Sequence, residues 1–322
     1  MKILVTGGLG FIGHNVVSVL EHAGHDVVIT DTRTTYDLID QHQLDQLITE
    51  RRQHIKTDRI YSIDIADHDG IAWLVRTHSP DVVIHLASFP RQKVVNANPQ
   101  WGSRSMSEGL LNVLEASRRY SVKRFVYVSS SMVYGHFDVD SMDGITEYAN
   151  CRPIGQYGIM KLAGEWLVQD YSRRECFEHV ILRPSAVYGP RDIEDRVVSK
   201  FLLGALRGTT IQVHGDQEEL DFTYIDDTAQ GIAQAAVSKH TANQIYNISR
   251  GSARTLLEAA QIAVNLGQQG QIEVNFPDDN FPSRGQMNIS AAHKDFGFNP
   301  ETDIEQGFRI YYDWLNARGK QS

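Results

Sequence analysis

Tyr157-Gly-Ile-Met-Lys161 sets a phenol and an ammonium four residues apart. On a helix that spacing stacks one side chain a turn above the other, so both can point at one spot. At an effective dielectric of about 20 and a separation of roughly 5 Å, the ammonium favours the phenolate by about 3 kcal/mol. That attraction would draw a tyrosine pKa of about 10 down by roughly two units. The expected chemistry is proton transfer by a base poised near neutrality. The same spacing also suits two residues on an amphipathic surface helix, so the surrounding pattern decides.

A second chemical signal opens the chain. Lys2 to Thr6 is a short apolar run, followed by Gly7-Gly8-Leu9-Gly10-Phe11-Ile12-Gly13 and then a helical pattern from Phe11 to Leu20. This is strand, glycine turn, helix. Gly7 permits the tight turn, Gly10 the close approach of backbone to a pyrophosphate, and Gly13 the packing of helix on sheet. The phosphates would then rest on the helix start at Phe11 and Ile12. A second apolar strand, Asp26 to Thr30, ends at Asp31, eighteen positions after Gly13. A carboxylate there accepts hydrogen bonds from an adenosine ribose and repels the 2′-phosphate of NADP, so NAD is the expected cofactor. Arg33, two residues on, is the cation that would hold such a phosphate instead.

With these two signals in place, the chain resembles the extended short-chain dehydrogenase/reductases, and within them the NAD-dependent sugar epimerase/dehydratase family, from Met1 to about Trp314. Supporting motifs stand as Asp64-Ile65, His85-Leu86-Ala87, Ser129-Ser130-Ser131-Met132-Val133-Tyr134-Gly135, Leu182-Arg183-Pro184 and Val187-Tyr188-Gly189-Pro190. The resemblance implies a doubly wound, Rossmann-type parallel α/β sheet over residues 1–184, interrupted by an insertion at about 32–59. A smaller C-terminal α/β substrate lobe follows over 185–322, with Gln244 to Ile248 returning to the main sheet. It implies Ser130, Tyr157 and Lys161 as catalytic residues. NAD would be held by Gly7, Gly10, Phe11, Ile12, Gly13, Asp31, Asp64, Ile65, Leu86 and Ala87, with Tyr157 and Lys161. A nucleotide sugar would meet Ser88, Ser130 and Ser131. Relatives carry Arg-Asp-Phe where this chain has Leu220-Asp221-Phe222, so the cation expected at the nucleotide pyrophosphate is missing. Arg191 and Arg284 are the candidates to replace it. Arg91 and Lys93, in a loop where relatives are often small or polar, can meet a phosphate or a carboxylate. The usual asparagine of the helix Pro99 to Tyr120 is replaced by Met106.

The resemblance also narrows the reaction. Sugar 4,6-dehydratases of the family use a Thr-Asp-Glu triplet, whose carboxyl groups do acid and base work. The matching residues here are Ser130-Ser131-Met132, which do not titrate. A 3,5-epimerase needs a cysteine near that place, and Cys151 would have to loop back to it. C4 epimerisation of a nucleoside-diphosphate sugar through a 4-keto intermediate needs only Ser, Tyr, Lys and NAD. A dehydrogenase or keto-reductase, a dehydratase, and a non-catalytic dinucleotide-binding regulator remain as alternatives.

The elements that position these residues follow from pattern and composition. The 322 residues, 41% hydrophobic and 22% charged, describe a globular chain with a large core. A net charge of −9 gives no field for nucleic acid or an anionic membrane, so an anionic substrate must meet a few local cations. Cys151 and Cys176 lack metal-ligand spacing, and no metal site is expected. No apolar run approaches membrane-spanning length, and the first strand starts at Met1, so a cytoplasmic location is expected. In the insertion, Leu44 to Ile55 has helical spacing with Leu44, Leu47 and Ile48 on one face; a solvated helix is the leading expectation, a cover for the adenine side or a partner contact the others. Asp67 and the Asp226-Asp227 pair read as helix caps. The helices Pro99 to Tyr120 and Pro153 to Tyr171 would pair with their symmetry mates in a homodimer, as in the family.

Overall fold

A computed structural model of the chain describes residues 1–34, 39–89, 91–137, 143–174 and 176–319. Parts of the expected insertion, of the loop after Ala87 and of the C-terminal end fall outside these residues.

Apolar runs buried on both faces build the centre, as parallel strands require. In chain order the first half contains β1 (Lys2–Thr6), α1 (Phe11–His22), β2 (Asp26–Thr30), α2 (Gln41–Arg52), β3 (Ile60–Tyr61), α3 (His68–His78), β4 (Val82–His85), α4 (Gln92–Ala97), α5 (Pro99–Ser103), a π-helical turn (Arg104–Gly109), α6 (Leu110–Arg119), β5 (Arg124–Val128) and α7 (Gly155–Arg173). The second half adds β6 (Glu178–Pro184), β7 (Val187–Tyr188), α8 (Val197–Arg207), β8 (Thr210–His214), β9 (Glu219–Leu220), β10 (Thr223–Tyr224), α9 (Ile225–Val237), β11 (Gln244–Ile248), β12 (Arg254–Thr255), α10 (Leu256–Gly267), β13 (Gln271–Asn275), α11 (Ser290–Phe296) and α12 (Ile304–Gly319). Seven strands pair in the order β11-β6-β5-β4-β1-β2-β3, every pair parallel. This is a Rossmann-type sheet. Its strand order reverses between β1 and β4, and ligands of such sheets bind in the crevice at that point.

Each face of the sheet has its own core. Val16, Val17 and Leu20 of α1 and Ile232, Ala233 and Ala236 of α9 cover one face. Ile71 and Leu74 of α3, Val113 and Leu114 of α6, and Val168 of α7 cover the other. A third cluster is built on Phe201 and Leu202 of α8, Ala259 and Ala263 of α10, and Phe308 and Tyr311 of α12, with Phe11 of α1 packed into it.

Three local expectations meet the tertiary structure differently. Asp67 does cap α3, accepting from Gly70 N at 3.0 Å. Asp227 does not cap α9: its carboxylate accepts from Glu301 N and Thr302 N at 3.1 and 3.0 Å, tying down the approach to α12. Asp40 caps α2, whose Leu44 and Leu47 are buried. The insertion helix therefore packs on the body instead of standing in solvent, because its apolar face finds the mouth of the crevice.

Candidate active site

Helix α7 presents Tyr157, Lys161 and Glu165 at successive turns of one face. Lys161 and Glu165 are 4% and 1% exposed, so the face points inward. Lys161 Nζ donates to Val128 O at 2.8 Å, at the carboxyl end of β5, and lies 5.9 Å from the Tyr157 ring centre. Glu165 is the anchor beneath. It accepts from Ser129 Oγ at 2.6 Å and from Arg183 Nε and Nη2 at 2.9 and 2.6 Å. A bidentate, desolvated pair of this kind fixes orientation as well as charge. It locks the strand end that carries the serines to the helix that carries the phenol. Ser130, extended and next in sequence, accepts from Met132 N at 3.2 Å and lies close enough to the Tyr157 hydroxyl to act on it.

The electrostatics correct the simple pairwise expectation. Burial pushes the Tyr157 phenol up; the Arg196 charge and then the Ser130 hydrogen bond oppose this. Burial also brings Lys161 down to about 7, against the pull of Glu165. Both groups have left water, and that loss outweighs their mutual attraction. The protein alone does not lower the phenol.

The other half of the crevice lies at the ends of β1, β2 and β4. Gly7 has φ of 71°, and a Cβ there would stand 2.8 Å from Ala87 N, so only glycine lets the turn sit against β4. Gly10 precedes α1, to which no side chain supplies a cap. Gly7, Gly10, Phe11, Ile12 and Gly13 line the crevice, as do Asp64, Ile65, Leu86 and Ala87. Asp31 Oδ2 accepts from Leu9 N at 3.0 Å and Oδ1 from Arg33 N at 2.8 Å, which stations the carboxylate at the rim beside the glycine turn. A cradle closed to any Cβ, a helix start and a carboxylate at the second strand end fit a dinucleotide with free ribose hydroxyls. The crevice is continuous with the Ser130–Tyr157 region and has a volume of about 1360 Å³. One ligand usually occupies roughly 300–1,000 Å³, so there is room for two.

Comparison with known proteins agrees with this geometry. The model of the NAD dependent epimerase/dehydratase family matches residues 3–249. The chain belongs to that family. A putative UDP-glucose 4-epimerase of Methanocaldococcus jannaschii is 30% identical over 325 residues, covering 99% of each chain. A dTDP-glucose 4,6-dehydratase of Actinoplanes is 27% identical over 324 residues, covering 98% of each. The crystal structure of UDP-glucuronic acid 4-epimerase from Bacillus cereus, in complex with UDP-glucuronic acid and NAD, superposes with a TM-score of 0.88 at 25% identity, covering 99% of this chain and 100% of that one. As a member of the NAD-dependent epimerase/dehydratase family, the protein is an epimerase or dehydratase with NAD as its cofactor.

The family's cationic positions are rearranged here. Arg284 lines the crevice and is delivered beside Leu220 by a backbone bridge to Glu219. Arg191 does not line it. Its Nε donates to His14 Nε2 at 3.1 Å, while His14 Nδ1 donates to Gly10 O at 2.9 Å. Burial keeps His14 well below the usual histidine range, so its ring stays neutral and can accept. Arg191 is thus turned toward α1 and away from the crevice lining. Arg91 does line the crevice, with Nη1 on Asp195 Oδ2 at 2.5 Å. Ser88 and Ser131 line it as well.

Three residues of the site escaped the sequence reading. Glu165 repeats the four-residue spacing of Tyr157 and Lys161, a signal present in the chain. Arg51 lies on the Leu47–Ile48 face of the insertion helix and is buried; Nη1 donates to Leu9 O, and Nε and Nη2 to Arg191 O. Arg196 stands at the start of the helical stretch after Asp195, with Nε 3.0 Å from Asp192 Oδ2.

Proposed function

We propose that the protein interconverts the C4 epimers of a nucleoside-diphosphate sugar through a 4-keto intermediate, with NAD retained between turnovers. The observation that carries this reading is the set Ser130, Tyr157 and Lys161 at one end of a two-ligand crevice, with no carboxyl group at the two following positions. Ser131 is a hydroxyl, and Met132 is buried and apolar. Cys151 packs with Val133, Tyr134 and Leu162 and lies outside the crevice lining, so no thiol joins the set. Loss of water from C5 and C6 needs acid and base groups that this set does not supply.

Bound NAD would supply the two-electron acceptor and donor, and the positive charge of its oxidised ring would favour the phenolate. Gly7, Gly10, Gly13 and Asp31 would hold its adenosine and pyrophosphate, and Lys161 its second ribose. Tyr157 Oη takes the proton of the 4-hydroxyl and returns it after the ketone has turned over. Ser130 Oγ hydrogen-bonds the same oxygen in both directions. Arg284 and the residues after Pro184 hold the nucleotide diphosphate. The UDP- and dTDP-linked sugars for which these relatives are named support this class.

The test is a panel of UDP-, GDP-, CDP- and dTDP-sugars incubated with the enzyme and no added cofactor. An isomer of unchanged mass, inverted at C4 by NMR, is expected. Loss of 18 or 44 mass units, as water or carbon dioxide (roughly the values for those molecules), would overturn the reading. Tyr157→Phe should lose several orders of magnitude in rate, and Ser130→Ala a factor of about 10² to 10⁴.

A further inference from the structure

The crevice holds more positive charge near Tyr157 than a diphosphate at the Arg284 end explains. Arg91, Arg196 and Lys200 line it together with Asp192 and Asp195. Arg91 Nη1 and Lys200 Nζ share Asp195, at 2.5 and 2.8 Å, and Arg196 Nε lies on the buried Asp192 at 3.0 Å. Among these five, three cations face two carboxylates. Arg91 is the buried member of the three, its side chain 15% exposed against 37% for Arg196 and 59% for Lys200, and among the described residues its Nη2 is buried without a hydrogen-bond partner. An orphaned buried donor of a charged group is costly, and a structure that keeps one leaves a place for an acceptor.

The two guanidinium groups are close enough to act on one another. Arg91 is lowered from the usual arginine range, first by burial and then by the Arg196 charge. Arg196 is also the main charge acting on the Tyr157 phenol, whereas Arg284 has Glu218 as its counter-charge. Arg284 stands beside β9, on a different part of the wall. The crevice therefore has two separate cationic places, one for the diphosphate and one close to the reacting hydroxyl.

We propose that Arg91 and Arg196 bind a carboxylate carried by the sugar itself, so that the preferred substrates are nucleoside-diphosphate uronic acids. This rests on the C4 reading above. When Tyr157 and Ser130 hold the oxygen on carbon 4, the adjacent ring carbon 5 carries either a neutral hydroxymethyl group or, in a uronic acid, a carboxylate. A carboxylate at that place accepts from Arg91 Nη2 and neutralises the charge surplus. A hydroxymethyl group leaves the surplus in place. Charge-assisted pairs with guanidinium are also the geometrically selective ones. In a protein of net charge −9, local cations of this kind are the means of retaining a substrate with three negative groups.

The experiment compares UDP-glucuronate and UDP-glucose with the holoenzyme, by kcat/KM for isomerisation and by calorimetric binding to Tyr157→Phe, with UDP alone as the reference. A preference for the uronate of about 10²-fold or more is expected, as for a buried charge pair. Arg196→Gln and Arg91→Gln should each collapse that ratio by at least about tenfold, with UDP binding retained as evidence of a folded site. Arg196→Lys should give an intermediate ratio. Equal or better use of UDP-glucose, or absent binding of UDP-glucuronate, would overturn the proposal. So would Gln variants that weaken UDP, UDP-glucose and UDP-glucuronate alike, since the arginines would then be diphosphate ligands. A preference for the uronate accompanied by loss of water or carbon dioxide would uphold this inference while overturning C4 epimerisation.

Discussion

Replacing Lys161 by methionine should make the cofactor-stripped protein more stable while abolishing turnover. Burial takes Lys161 from its ordinary 10.5 to about 7. At about 1.4 kcal/mol per pH unit, holding the ammonium in the fold costs on the order of 4–5 kcal/mol at and below pH 7. Methionine keeps an unbranched side chain and removes the charge, but it strips Val128 O of its donor, which costs about 1–3 kcal/mol. The net gain is about 1–4 kcal/mol. With an unfolding entropy of about 2.1 cal/mol/K per residue, a chain of this size gains roughly 2–6 °C in melting temperature. The sign with pH is fixed by linkage. The folded-state pKa lies below the unfolded one, so the unfolded wild type binds more protons between pH 7 and 10.5, and wild-type stability rises across that window. The advantage of the methionine variant is full below pH 7 and disappears toward pH 10.5. Calorimetric or circular-dichroism melting at pH 6.5, 8 and 9.5 reads this directly. A methionine variant that melts below wild type at pH 6.5, or whose advantage does not shrink by pH 9.5, would refute the claim that the Lys161 ammonium is held at the expense of stability.

Other expectations are simpler. Gly13→Ala would drive a Cβ into the Gly7 carbonyl oxygen and against Gly8 Cα; it should cost about 3 kcal/mol by chemical denaturation and release NAD from the purified protein. Burial lowers His85 to about 3 and His179 to about 4, so both are folded in the neutral form. Their contribution to stability is present above about pH 6.5 and is lost as pH falls toward 4, so urea midpoints should drop steeply over that window, and less steeply in His85→Gln. Trp101, Leu111, Ile159 and Trp166 leave large apolar surfaces exposed on α5, α6 and α7. A C2 dimer through these helices is expected, and sedimentation should show a dimer that Trp166→Glu converts to monomer; a wild-type monomer at micromolar concentration would refute it.

What the sequence determined alone was what short spacings can encode. Gly7, Gly10 and Gly13 declare a tight turn, and the following apolar pattern declares the helix α1 that it opens. Tyr157, Lys161 and the unremarked Glu165 share a face because helical geometry repeats every 3.6 residues. The alternating strands and helices up to Pro184 imposed a parallel sheet, and with it the crevice at the reversal of strand order. Tertiary structure decided where charge goes. Arg191 looked available from its place after Gly189-Pro190, yet a neutral histidine on α1 accepts its guanidinium and turns it from the crevice. Arg51 and Arg196 reach the crevice because the insertion helix and α8 pack at its mouth, which no local spacing specifies. The Tyr157 phenol is raised and not lowered, because the strength of a charge pair depends on how much water both partners lose. That loss is a property of the assembled walls, to which residues from Asp31 to Arg284 contribute.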